Sequence, residues 1–83
     1  MKEKLEKIKE YLKPSLDNME IIITDITYTT EGKYSFLTIE LDKENGIDLD
    51  TIVDATNVIN PLLDELDIIE DSYILDVISK ERG

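Results

Sequence analysis

Carboxylates are the one class of side chain in this sequence present in numbers that could do chemistry: Asp and Glu occupy 20 of 83 positions, while His and Cys do not occur. Without Cys there is no thiolate nucleophile, no disulfide framework and no Cys-ligated zinc. Without His the commonest general base and the commonest transition-metal ligand are both missing. What remains is acid–base work by paired carboxylates, or coordination of a hard cation such as Mg²⁺ or Ca²⁺. Asp48/Asp50 and Asp64/Asp67 are pairs that could be posed as acid and base. Each sits where a helix terminus is expected, and a solvated terminus accounts for them better. The segment Asp42-Lys43-Glu44-Asn45-Gly46-Ile47-Asp48 invites comparison with a calcium loop. An EF-hand, however, needs a Glu six residues after its Gly. That position is Ile52, so the segment reads as a solvated turn. No catalytic residue, metal or cofactor is expected, and the chain reads as one that binds rather than catalyses.

The distribution of charge says what it could bind. Residues 1–13 carry five Lys against three Glu, whereas from Tyr34 to Ser79 a single Lys, Lys43, stands against twelve Asp and Glu. Affinity for nucleic acid rests mainly on Lys and Arg neutralising phosphates. An acidic domain is repelled by bare RNA or DNA, and its electrostatic complement is a basic protein surface approached through long-range steering. Acidity also serves solubility alone. Lys2, Lys4, Lys7 and Lys9 could touch RNA, but the interleaved Glu residues make them an ordinary solvated helix face.

The elements that must position these groups follow from periodicity. Leu5, Ile8, Leu12 and Leu16 recur at helical spacing and predict a helix over residues 2–17. Pro14 removes a backbone donor and crowds the Glu10 carbonyl, so this helix is expected to kink there, or to end and restart. β-Branched residues over 20–30 predict a strand. Its apolar run Ile21–Ile23 breaks the alternation, as burial on both faces or a bulge would. Glu31-Gly32-Lys33 forms a hairpin loop. The second strand is Tyr34–Asp42, with Leu37, Ile39 and Leu41 toward the core and Thr38, Glu40 and Asp42 toward water. Asp48 is placed to cap a second helix of about four turns, with Leu49, Ile52, Val53, Thr56, Ile59, Leu63 and Leu66 on one face and Pro61 bending or tightening its end. Tyr73–Ser79 reads as a third strand with Tyr73, Leu75 and Val77 on one face.

The order α-β-β-α-β predicts an antiparallel hairpin, then a crossover that brings the third strand parallel to the second. Two helices on one face of a three-stranded mixed sheet make a two-layer α+β domain. A chain this short is one domain with a thin stability margin, burying about 60–65% of its unfolded surface. With no Trp and a single Phe, Phe36, its core must be aliphatic. No apolar run approaches the ~18 residues of a membrane span. The first ten residues are too charged for a signal peptide, so the expected location is the cytoplasm.

Four segments together resemble the N-terminal domain of the ribosome maturation factor RimP family. They are Lys13-Pro14 followed by the strand Ile23-Thr24-Asp25-Ile26-Thr27-Tyr28, similar to the family's L-V-D-V-E-Y; Glu31-Gly32-Lys33 before the second strand; Leu41-Asp42-Lys43-Glu44-Asn45-Gly46-Ile47-Asp48-Leu49-Asp50, similar to I-D-K-x-x-G-V-x-L-D; and Tyr73-Ile74-Leu75-Asp76-Val77, similar to Y-x-L-E-V. The third segment is the most specific, and the four cover nearly the whole chain in order. The family usually continues with S-S-P-G and an R-P-L segment into an Sm-like barrel. Here the sequence reads Ile78-Ser79-Lys80-Glu81-Arg82-Gly83, so the expectation is residues 1–83 as a single RimP N-terminal-like domain without that barrel.

The resemblance implies a non-enzymatic assembly factor that binds the immature small (30S) ribosomal subunit, where it helps the basic ribosomal protein near the decoding centre to settle on ribosomal RNA. The alternative is a generic acidic adaptor, or an inhibitor mimicking nucleic-acid charge, with a non-ribosomal basic partner. A KH-like RNA-binding domain is excluded because Gly32, Gly46 and Gly83 cannot supply its G-x-x-G loop. Candidate partner-binding residues are Asp42, Lys43, Glu44 and Gly46 in the turn, and the acids Asp64, Glu65, Asp67, Glu70 and Asp71. A left-handed turn is the structural alternative for Gly46, and a solvated loop is the alternative for the acids. Tyr28, Phe36 and Tyr73 could anchor an interface, although Tyr73 fits better in the core with its hydroxyl reaching water.

Overall fold

Helix α1 (Lys2–Asn18) precedes a hairpin of β1 (Ile21–Glu31) and β2 (Tyr34–Lys43), and helix α2 (Leu49–Leu66) then leads to β3 (Ile74–Ser79). The computed structural model describes residues 1–80. Of the segment Ile78–Gly83 where the family pattern is lost, Glu81-Arg82-Gly83 lie outside the described residues. β1 and β2 pair antiparallel from Ile21↔Lys43 to Glu31↔Tyr34, and β3 joins β2 in parallel from Phe36↔Ile74 to Leu41↔Ser79. The strand order is β1-β2-β3, the two-layer α+β architecture expected from the sequence.

Both helices lie on one face of this sheet. Leu37, Ile39 and Leu41, at alternate positions of the central strand, are fully buried between Ile8, Leu12 and Leu16 of α1 and Ala55, Ile59 and Leu63 of α2. The core is aliphatic, as the composition requires. Gly32 takes φ +58° as the first of two turn residues, the position where a type II′ hairpin needs positive φ.

The two prolines do not end their helices. α1 runs unbroken through Pro14 to Asn18, which corrects the expectation of a restart. An interior proline costs about 3 kcal/mol. Leu12 and Leu16 flank it and are both buried, each stabilising by roughly 1.5–3 kcal/mol, so tertiary packing outweighs the lost bond. Pro61 is flanked in the same way by buried Ile59 and Leu63, and α2 continues to Leu66.

Two further expectations resolve in detail. The apolar run at the start of β1 is relieved by a bulge: the register slips between Ile23 and Asp25, leaving Thr24 as the extra residue. Burial on both faces is not realised there, since Ile22 is 56% exposed. In α2, Leu49 and Val53 were expected on the inward face but are 76% and 51% exposed. At 3.6 residues per turn they lie about 80° and 120° from the direction of buried Ile59, too far round to enter the core.

Candidate protein-binding surface

α2 ends at a residue in an unusual conformation. Asp67 occupies the left-handed region (φ 44°, ψ 46°) as the C-terminal cap, and its N–H donates to the Leu63 carbonyl at 2.9 Å. Glycine is the usual occupant of such a cap, because a Cβ is crowded there. This reversal sends the chain back under the helix, and Ile69 is tucked into the core with 8% of its surface exposed. The loop then rises over Glu70, Asp71 and Ser72 into β3.

Between the end of α2 and this loop lies an open cavity of about 510 Å³. Its floor is apolar, formed by Ile8, Leu63, Ile69 and Leu75, and its rim carries Asp64, Asp67, Glu70 and Asp71. Among the described residues no Lys or Arg lines it. Tyr73 stands at its edge, half-buried against the core. Burial first, then the negative charges of Asp64 and Asp67, and last Tyr28, hold its hydroxyl above the ordinary phenol range, in the neutral donor form. The arrangement suits a cationic side chain with an apolar stem: the floor covers the methylenes while the rim meets the charge.

Four of the five expected acids therefore converge. Glu65 does not. It lies across from α1 beside Tyr11, whose hydroxyl is raised by burial first and then by the Glu65 carboxylate, acting both as charge and as hydrogen-bond acceptor. Asn60 and Ser72 also line the cavity and escaped sequence reading. Asn60 was findable: Asn60, Asp64 and Asp67 recur at i, i+4 and i+7, one polar stripe of a helix.

The second candidate group, Asp42 to Gly46, stands at the opposite end of β2 and is occupied with local structure. The Lys43 N–H donates to Asp42 Oδ1 at 2.8 Å, and the Gly46 N–H donates to the Lys43 carbonyl at 2.9 Å. Asn45 and Gly46 both have positive φ, at 68° and 93°. The turn delivers Asp48 to the start of α2, where its Oδ1 accepts from the Thr51 N–H at 2.8 Å. Hydrogen bonding from Thr51, aided by Lys43, holds the Asp48 carboxyl below its usual range.

Among the described residues the outer face of the sheet carries no helix. Phe36 is half-buried there, while Tyr34 is 62% and Ile74 47% exposed. Glu40 is fixed on the same face by Thr24, whose hydroxyl donates to its carboxylate at 2.7 Å. Tyr28 packs instead against the core side. Among the described residues no three carboxylates are grouped to hold a metal ion, and no helix is long and apolar enough to cross a membrane.

Compared with known protein families, residues 5–80 match the RimP N-terminal domain. The match takes in the whole hairpin, the Asp42–Gly46 turn, α2 with its acidic cavity, and β3. This chain thus belongs to the RimP N-terminal domain family, and its role is that of a ribosome maturation factor.

Proposed function

We propose that this domain acts without catalysis, as an assembly factor that binds the immature small (30S) ribosomal subunit through one of its basic ribosomal proteins. On this reading residues 1–83 work in the cytoplasm as one binding unit. The observation that carries it is the cavity at the end of α2, where Asp64, Asp67, Glu70 and Asp71 rim an apolar floor with no basic residue lining it among the described residues. Such a site attracts cationic side chains over long range and repels RNA phosphates, so the contact is with protein. The Asp42–Gly46 turn supports α2 and makes secondary contacts.

The test is co-sedimentation with purified small subunits at low and raised salt, with large subunits as control. Selective, salt-sensitive binding to small subunits is expected. Reversing Asp64, Asp67 and Glu70 to Lys should weaken it roughly tenfold or more with an unchanged circular dichroism spectrum. Glu65→Lys, outside the cavity, should leave binding nearly unchanged. Equal binding to both subunits, or to an unrelated basic protein, would favour the generic acidic adaptor. Unchanged affinity in the triple variant would remove the cavity from the reading.

A further inference from the structure

The two edges of the sheet are built differently. β1 carries a bulge at Thr24 and shows solvent exposed Asp25, Thr27 and Thr29, the usual protection of a free edge. β3 has no bulge, and Asp76 is its one exposed charge. Its register with β2 is unbroken over six residues, Ile-Leu-Asp-Val-Ile-Ser, with neither proline nor lysine, and no strand lies beyond it among the described residues. The Lys80 N–H donates to the Leu41 carbonyl at 2.8 Å. Alternation in a parallel ladder then turns the N–H and C=O groups of Ile74, Asp76 and Ile78 toward β2, and those of Leu75, Val77 and Ser79 outward.

What flanks this edge is apolar on both sides. Ile74 and Ile78, 47% and 38% exposed, border it on the open face of the sheet; Leu49 and Ile52 border its far end on the helical side. Leu49, Ile52, Val77 and Ile78 line an open cavity of about 680 Å³ at the end of β3. The acidic cavity lies at the start of the same strand, lined by Tyr73 and Leu75. Carboxylates accompany the whole path, Asp64 and Asp67 at its start, Asp76 midway and Glu40 near its end, against one cation among the described residues, Lys80.

We propose that β3 accepts an extended, basic segment of a partner protein as a fourth strand, which runs from the acidic cavity to the apolar rim at the start of α2. Six residues at about 3.3 Å each span some 20 Å, the length of β3. Main-chain bonds to Leu75, Val77 and Ser79 supply the affinity, and alternating cationic and aliphatic side chains supply the selectivity. A second copy of this chain is a poor occupant, since each carries a net charge of −11. The proposal rests on the reading of the partner as a basic protein.

The probe is a synthetic heptapeptide of alternating Lys and Val, titrated into isotope-labelled protein and followed by NMR. Expected are shifts and slowed hydrogen exchange at the amides of Leu75, Val77 and Ser79, and binding at least tenfold weaker for the same peptide N-methylated on alternate residues, which keeps its charge but cannot pair. The double substitution Ile74→Lys and Ile78→Lys, on exposed side chains, should abolish binding with the fold intact by circular dichroism. Equal binding of the N-methylated peptide, or no binding by either, would overturn the edge while leaving the acidic cavity to be judged by co-sedimentation. Loss of pairing accompanied by a dimer in sedimentation equilibrium would overturn it in favour of a second copy. Edge shifts that persist in Asp64→Asn/Asp67→Asn, together with undiminished subunit binding, would uphold the edge and remove the cavity.

Discussion

Asp67 holds its carboxylate in the acidic cavity from a backbone conformation that suits glycine better (φ 44°). A left-handed L-residue costs roughly 1–2 kcal/mol, and Asp is among the few that tolerate it. Strain of this kind collects at working sites because the side chain is wanted there. Asp67→Gly should therefore raise the melting temperature by a few degrees in a thermal scan while weakening binding to small subunits several-fold in co-sedimentation. A variant both less stable and equally tight would mean that the carboxylate serves the cap and not the partner. Glu20 and Asn45 share the positive φ but sit in connecting turns, clear of the cavity.

At the scale of elements, α2 depends on its first residue as much as on its apolar stripe. Asp48 caps it through the Thr51 N–H, and that hydrogen bond is what lowers its pKa. A carboxyl lowered in the folded state contributes stability that is present above its ordinary value of 3.8 and lost as pH falls through the lower folded value. Asp48→Ala should lower the melting temperature by a few degrees near pH 7, with the gap from the parent narrowing as pH falls below the ordinary value of 3.8. A constant gap would separate the cap from the charge. The elements themselves were legible in the sequence, since periods of two and 3.6 place Leu37, Ile39 and Leu41 on one face and Ile8, Leu12 and Leu16 on another. The finer features were not. An apolar residue type does not state its direction, so Leu49 and Val53 read as core when they form a rim. Proline reads as a break because its cost is local while the compensating burial is tertiary. The acids were visible one by one, but their convergence depends on Ile69 folding under the helix, a contact that no spacing announces. Glu65, one residue from Asp64, fell outside for the simple reason that adjacent helical residues diverge by about 100°.

Across the whole molecule the net charge of −11 works in two directions. The domain measures 36 × 27 × 21 Å. At about 0.01 M salt the screening length is roughly 30 Å, so nearly every carboxylate feels every other. At about 0.15 M it is roughly 8 Å, and only neighbours interact. Salt should therefore raise the melting temperature over this range by relieving self-repulsion, while it weakens attachment to small subunits. Parallel thermal scans and co-sedimentation should show the opposite slopes; slopes of the same sign would mean that attachment is not electrostatic.

The central position of β2 has a consequence for how the chain reaches this structure. One of its partners is two residues away, across Gly32 and Lys33; the other waits beyond residues 44–73. Closing the short loop is fast, whereas the parallel pairing must await the crossover helix. In the interval β2 lacks a neighbour on one side, and Leu37, Ile39 and Leu41 are covered by α1 alone. A newly made chain then shows an open backbone edge along β2, so the arrival of Ile74–Ser79 is the event after which no other extended segment can pair with its central strand.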